Sequence, residues 1–282
     1  MNSFKEILLN HVNSSNSLLC VGLDIDAARM TTASSPTFQQ LKDFTRMVID
    51  CTMDSVAAYK LNFAFFEHYG WEGFRWIEEV VEYIDKRRFT IADAKRGDIS
   101  NSAKHYAMSI FDRMGFDAVT VNPYMGRDAI LPFLSNPQKG VFVICLTSNK
   151  SALDLQLQPV NDHPLYQKVV EMVKDLNEYD NCGLVVGATQ PTELSHIRQA
   201  AGDMPLLIPG IGAQGGDLES SVREGNEGGI ALINVSRSVL YAGDQTEKSI
   251  GDAARDYQNK IATIQAKAQA KAKEKSVGLS VS

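Results

Sequence analysis

The chain has 282 residues and a formal charge of −6, from 28 Lys and Arg against 34 Asp and Glu; this argues against a general nucleic-acid-binding surface but permits a local basic pocket for an anionic small molecule. A composition that is 44% hydrophobic and 22% charged is that of a soluble globular protein with a core of normal size. No apolar run approaches membrane-spanning length, the N-terminus lacks a signal-peptide core, and Cys20, Cys51, Cys145 and Cys182 lack CxxC spacing, so a reducing cytoplasm with buried thiols is expected.

In chain order, the apolar run Leu18–Asp24 predicts a first strand and Phe38–Met53 an amphipathic helix. Val56–Leu61 predicts a second strand, Phe74–Arg87 a helix, Phe89–Lys95 a third strand and Asn101–Met114 a helix. Ala118–Asn122 and Val141–Thr147 read as strands four and five, followed by helix Leu165–Asn177. Gly183–Gly187, helix Thr192–Ala201, Leu206–Gly210 and Ile230–Ser236 complete eight strands, and Tyr257 onward reads as a last helix. Apolar strands alternating with helices imply right-handed βαβ units and a parallel sheet, and eight of them predict a (β/α)₈ TIM barrel of the α/β class. With no Pro-, Gly- or Ser-rich linker, residues 1–265 are expected to form a single domain. The Ala/Lys-rich run 266–275 and the small, uncharged Ser276–Ser282 predict a fraying helix extension and a disordered tail.

Such a barrel places its reactive groups at the C-terminal ends of its strands. Those ends carry Asp24, Lys60, Asp93 with Lys95, Asn122, Thr147-Ser148, Thr189-Gln190, Gly210–Gly212 and Ser236-Arg237. One polar strand end could be a capped turn; a whole rim of them predicts a pocket. Strand three is the densest in charge, with a lysine between two aspartates in Asp93-Ala94-Lys95-Arg96-Gly97-Asp98-Ile99. A strand period of two puts Ile91, Asp93 and Lys95 on one face. Lys60, from the neighbouring strand, can join Asp93, Lys95 and Asp98 in an array of alternating sign, whose carboxylates keep both lysines charged. A Schiff-base lysine must be neutral, so Lys95 is suited instead to stabilise a carbanion and then protonate it. A structural salt-bridge network between strands two and three would use the same residues. The glycine-rich stretch 209–216 follows strand seven and Arg237 follows strand eight; N–H groups and a guanidinium there predict a phosphate site, where glycines alone would indicate only a tight turn. His11, His68, His105, His163 and His196 are dispersed and offer no metal-ligand spacing.

At these residues the chain resembles the orotidine 5′-phosphate decarboxylase family, whose D-x-K-x-x-D-I signature reads here Asp93-Ala94-Lys95-Arg96-Gly97-Asp98-Ile99. Matching pieces run from Gly22-Leu23-Asp24 to Ser236-Arg237-Ser238, and the Ala94-Lys95-Arg96-Gly97 wording is similar to the longer-chain bacterial branch. The resemblance implies loss of CO₂ from orotidine 5′-phosphate to give UMP in de novo pyrimidine biosynthesis, with neither metal nor organic cofactor. It implies that Asp24 and Lys60 contact the ribose hydroxyls, and that Asp93 and Lys95 face the scissile carboxylate with Lys95 as proton donor. Ser148 would hydrogen-bond the pyrimidine amide, while Gly212, Gln214 and Arg237 would hold the 5′-phosphate. Asp98 would enter the site of a neighbouring subunit, with Ile99 lining it, which implies an obligate homodimer.

Three residues depart from the family. Ser102 stands where it often has Thr, keeping the hydroxyl for the partner-site contact, and Lys150-Ser151 replaces the common Pro-Gly after Thr147-Ser148-Asn149. Two other functions share the frame. A Mg²⁺-dependent sugar-phosphate decarboxylase or aldolase of the same suprafamily would need acidic strand ends around its metal, where this chain has Lys60. A non-catalytic phosphate-ligand-binding barrel would carry an eroded charge array.

Overall fold

The computed structural model describes residues 2–31, 35–189, 191–212 and 215–279, with backbone alone for 272–279. Eight parallel strands close into one barrel: β1 (Leu19–Gly22), β2 (Ala58–Asn62), β3 (Phe89–Arg96), β4 (Ala118–Val121), β5 (Gly140–Leu146), β6 (Cys182–Val186), β7 (Leu206–Pro209) and β8 (Ala231–Val235). Each strand pairs with its neighbours in sequence, and β8 closes on β1 through Leu19 opposite Ile233 and Val21 opposite Val235. The expected strands are all present, mostly one or two residues shorter at the C-terminal end. Asp24 and Ser236 therefore stand just beyond β1 and β8, in the loops that surround the barrel mouth.

Helices Phe38–Thr52, Trp71–Ile84, Leu165–Leu176 and Pro191–Ala201 lie where the periodicity places them. The helix expected over 101–114 is α-helical from Ser100 to Met108 and continues as a π-helical turn, Ser109–Arg113. The β4–β5 connection has only 3₁₀ turns, Arg127–Ala129 and Leu131–Ser135, the second carrying Pro132. Helix Leu218–Gly225, started by an Asp217 cap, was not expected. The last helix begins at Glu247, ten residues before Tyr257, because Ile250, Ala254 and Ile261 already form its buried stripe. Its backbone stays helical through the Ala/Lys-rich run to Leu279, past the Ser276 where order was expected to end, as the high helix propensity of Ala and Lys favours; residues 280–282 lie outside the described residues.

A further unanticipated element, α1 (Phe4–Ser15), closes the N-terminal end of the barrel. A capping box starts it, with Ser3 Oγ accepting from the Glu6 N–H and Glu6 Oε2 accepting from the Ser3 N–H. Phe4 is fully buried against the rings of Phe89 and Phe142, at centroid distances of 5.9 and 5.8 Å. Gly140 makes room for it, since a Cβ there would lie 2.1 Å from the Phe4 ring. The aromatic plug leaves the opposite end as the open mouth. Cys20, Cys145 and Cys182 are buried and Cys51 half-buried, all as free thiols, as expected of small apolar fillers. Among the described residues no helix is long and apolar enough to cross a membrane.

Candidate active site

A cavity of about 350 Å³ opens at the C-terminal ends of the strands. Asp24, Lys60, Asp93, Lys95, Ser148 and Arg237 all line it, so six of the expected residues meet in one place. Ile144, Val185 and Leu207 give it an apolar wall. β3 supplies the centre. Asp93 Oδ2 accepts from Lys60 Nζ at 2.8 Å, and Asp93 Oδ1 accepts from Lys95 Nζ at 2.6 Å. Lys60 Nζ is also 3.8 Å from Asp24 Oδ1, so its charge lies between two carboxylates.

The route to this geometry differs from a regular pleat. The register between β3 and β4 shifts between Ala92 and Arg96, and Lys95 adopts a left-handed φ of 48°. Strict alternation therefore breaks just where Asp93 and Lys95 were expected to share a face. They meet across a bulge instead. Thr120 on β4 closes it: its Oγ1 accepts from the Lys95 N–H at 3.0 Å and contacts Asp93 Oδ1 at 3.0 Å.

Burial alone would lower the pKa of Lys60, but the fields of Asp24 and Asp93 and the hydrogen bond to Asp93 overcome it and hold the ammonium above the ordinary lysine range. Burial alone would raise the Asp93 carboxyl; the charges of Lys60 and Lys95 outweigh it and keep the group well below the usual carboxylate range. Both groups are fully ionised at neutral pH. Burial pushes the nearby Cys20 thiol up to about 12, so it stays protonated beneath the array.

Around the rim, Ser148 follows β5, where Gln156 Oε1 accepts from the Thr147 N–H at 2.7 Å and anchors the start of that loop. Lys150-Ser151 opens a 3₁₀ turn, Lys150–Asp154, with both side chains exposed. β7 stands across the barrel from β3, and the turn after it is tight: Gly210 and Gly212 have φ of 103° and 76°. Gly212 also allows a close approach, as a Cβ there would lie 2.5 Å from Ser238 Oγ. Arg237 begins the short helix Arg237–Leu240 beside this turn, and among the described residues no carboxylate pairs with it. A free guanidinium beside a glycine turn suits an anion. Gln214, expected to share this role, lies outside the described residues, as does Gln190.

Four expected residues stand apart from the cavity. Asp98 does not join the lysines; its Oδ1 accepts from the Ile99 N–H at 2.8 Å. The fourth place in the array belongs to Asp24. Ile99 is 45% exposed, and Ser102 is exposed on the helix that follows. Asn122 is exposed, with its Oδ1 accepting from the Tyr124 N–H at 3.0 Å in a local turn. The inward position on β4 is Thr120, two residues earlier. Asn62 and Asn234 also line the cavity without having been singled out. Asn234 had a readable signal, an amide inside the apolar run Ala231–Val235. Among the described residues, Asp24 Oδ1, Asn234 Oδ1 and Ser236 Oγ are buried without hydrogen-bond partners on the β8–β1 side, leaving capacity there for a ligand.

A sequence model described as the orotidine 5′-phosphate decarboxylase / HUMPS family matches residues 17–250. The chain is 45% identical over 258 residues to an orotidine 5′-phosphate decarboxylase of Ralstonia pickettii (strain 12J), covering 89% of this chain and 94% of that one. It is likewise 45% identical over 260 residues to the enzyme of the same name from Cupriavidus metallidurans, covering 90% and 94%. Among solved structures, the Leishmania donovani OMP decarboxylase superposes with a TM-score of 0.82 at 38% identity, covering 93% of this chain and 98% of that one.

Proposed function

The chain belongs to the orotidine 5′-phosphate decarboxylase / HUMPS family, and on that premise we propose that it converts orotidine 5′-phosphate to UMP and CO₂. The observation that carries the reading is the pair of ammonium groups held on one carboxylate at the cavity mouth, Lys60 and Lys95 on Asp93.

Decarboxylation breaks the bond between pyrimidine C6 and its carboxylate; the electron pair stays on C6 and CO₂ departs. That pair lies in the ring plane, outside the π system, so fixed charge must stabilise it. Lys95 Nζ faces C6 in this reading, balances the growing negative charge and transfers a proton to the carbon, regaining one from solvent. Asp93 orients that ammonium. Lys60 and Asp24 take the ribose hydroxyls, Ser148 the pyrimidine amide, and Arg237 with the turn at Gly212 the phosphate. Binding energy from the phosphate, remote from C6, then serves positioning and exclusion of water. Lys60 supports the metal-independent reading, since an ammonium between Asp24 and Asp93 repels a divalent cation.

The active assembly in this reading is a homodimer, with Asp98 and Ile99 entering the site of a second copy. Large exposed side chains after β2, β3 and β4 support it: Trp71 is 71% exposed, Ile99 45% and Tyr124 77%. The test is ultraviolet absorbance on mixing the purified protein with orotidine 5′-phosphate in EDTA. Catalytic loss of the orotate-ring absorbance is expected; no turnover, or turnover only after Mg²⁺ is added, would refute the proposal.

A further inference from the structure

Thr120 stands outside the signature motif, yet its hydroxyl lies between two of the motif's residues. The Lys95 amide can only donate, and Asp93 is ionised, so the sense of the two 3.0 Å hydrogen bonds is settled: amide to hydroxyl, hydroxyl to carboxylate. Both bonds fall at the bulge, where Lys95 holds a φ unfavourable for any residue with a Cβ. The ladder to β4 skips from Ala92 to Arg96, so Thr120 Oγ1 is the partner that keeps the Lys95 amide in that bend.

From this geometry we infer that Thr120 is a positioning residue of the decarboxylation: its hydroxyl fixes the backbone bend and the carboxylate orientation that together aim the Lys95 ammonium at the reacting carbon. The inference rests on the proposed role of Lys95 as proton donor. A threonine in a strand also has a purely architectural use, and the chain contains a matched example. Thr90, at the N-terminal end of the same β3–β4 pair, donates from Oγ1 to Asp117 Oδ2 at 2.8 Å and lies outside the cavity.

The experiment compares kcat and KM for orotidine 5′-phosphate in Thr120→Val, Thr120→Ser and the control Thr90→Val. A misplacement on the scale of 1 Å costs about 100-fold in rate, so Thr120→Val should lower kcat by about 10- to 100-fold while KM stays within about threefold. Thr120→Ser, which keeps the hydroxyl, should return kcat to within about threefold of the parent. Thr90→Val should lose thermal stability and keep kcat. Wild-type kcat in Thr120→Val, or a loss that serine does not restore, overturns the inference. Should the valine variant fail to fold, Thr120→Ala is held to the same criteria. Lys95→Ala, measured alongside, separates the two claims: if it is inactive while Thr120→Val is fully active, only the role of Thr120 falls. Turnover retained by Lys95→Ala removes the donor assignment itself.

Discussion

Lys60 Nζ lies 2.8 Å from Asp93 Oδ2 with only 4% of the lysine side chain exposed. Charges this far from water are tolerated only as a pair, because each lost its hydration on folding. Removing either partner leaves the other under-compensated, Lys60 with only Asp24 at 3.8 Å and Asp93 with only the half-exposed Lys95, at a cost of up to about 3–5 kcal/mol. Asp93→Asn is therefore expected to lose both turnover and stability. Adding Lys60→Met should restore part of the stability and none of the activity. Urea unfolding of the two single variants and the double variant at pH 7 reads this coupling, and additive losses would show that the pair is not one unit.

The Lys60–Asp93 pair should be insensitive to pH across the neutral range. Asp93 is depressed below its ordinary 3.8, so its stabilisation is present above about pH 4 and is lost as pH falls through the folded value. Lys60 is raised above 10.5, so its contribution is present below about pH 10 and is lost as pH rises through the folded value. Neither group titrates between about pH 5 and pH 9. The stability gap between the wild type and Asp93→Asn should thus be flat over that window and shrink below about pH 4. A gap that changes through pH 6–8 would contradict the assigned charges.

The phosphate end should behave differently in kinetics from the lysine end. Arg237→Gln removes a charged, forked donor and is expected to lower kcat/KM by about 100-fold or more, with a marked rise in KM. Gly212→Ala should act in the same direction, because its φ of 76° and the 2.5 Å approach to Ser238 Oγ would force the turn to shift. Steady-state kinetics decides it: an unchanged KM in Arg237→Gln would remove that residue from the phosphate site.

The barrel was legible because eight apolar runs, nearly all ending in a polar or glycyl residue, leave few other ways to bury them. Lys60, Asp93 and Lys95 were legible because charges that end apolar strands are costly unless they neutralise one another; periodicity did not bring Asp93 and Lys95 together, since a bulge lies between them. The bulge was not, since it depends on Thr120, a non-local partner 25 residues from Lys95. Asn122 shares the inward strand face with Thr120 by the period of two, but β4 ends at Val121 and Asn122 turns into the loop that follows, leaving Thr120 as the side chain in the cavity. The α1 plug was readable in principle from Ser3 and Glu6 with Phe4 and Leu8, but it precedes the first strand and carries none of the rim chemistry. Asp98 is the opposite case, a motif residue whose place in the chain explains nothing within one copy.

That residue gives the sharpest test of assembly. Asp98 lies three residues from Lys95 yet does not line its cavity, and Ile99 beside it is 45% exposed. If Asp98 completes a neighbour's site, Asp98→Ala and Lys95→Ala should each be inactive alone. In a mixed dimer, one site combines the intact Lys95 of one chain with the intact Asp98 of the other, while the second site lacks both. Statistical mixing places half of the dimers in this hybrid form, each with one working site, so about a quarter of wild-type activity is expected on co-refolding equal amounts. Sedimentation at the assay concentration should show the dimer in both variants. Recovery of activity requires groups from two chains in one site; inactive single variants that give no recovery in a verified mixed dimer would place Asp98 in its own chain's chemistry.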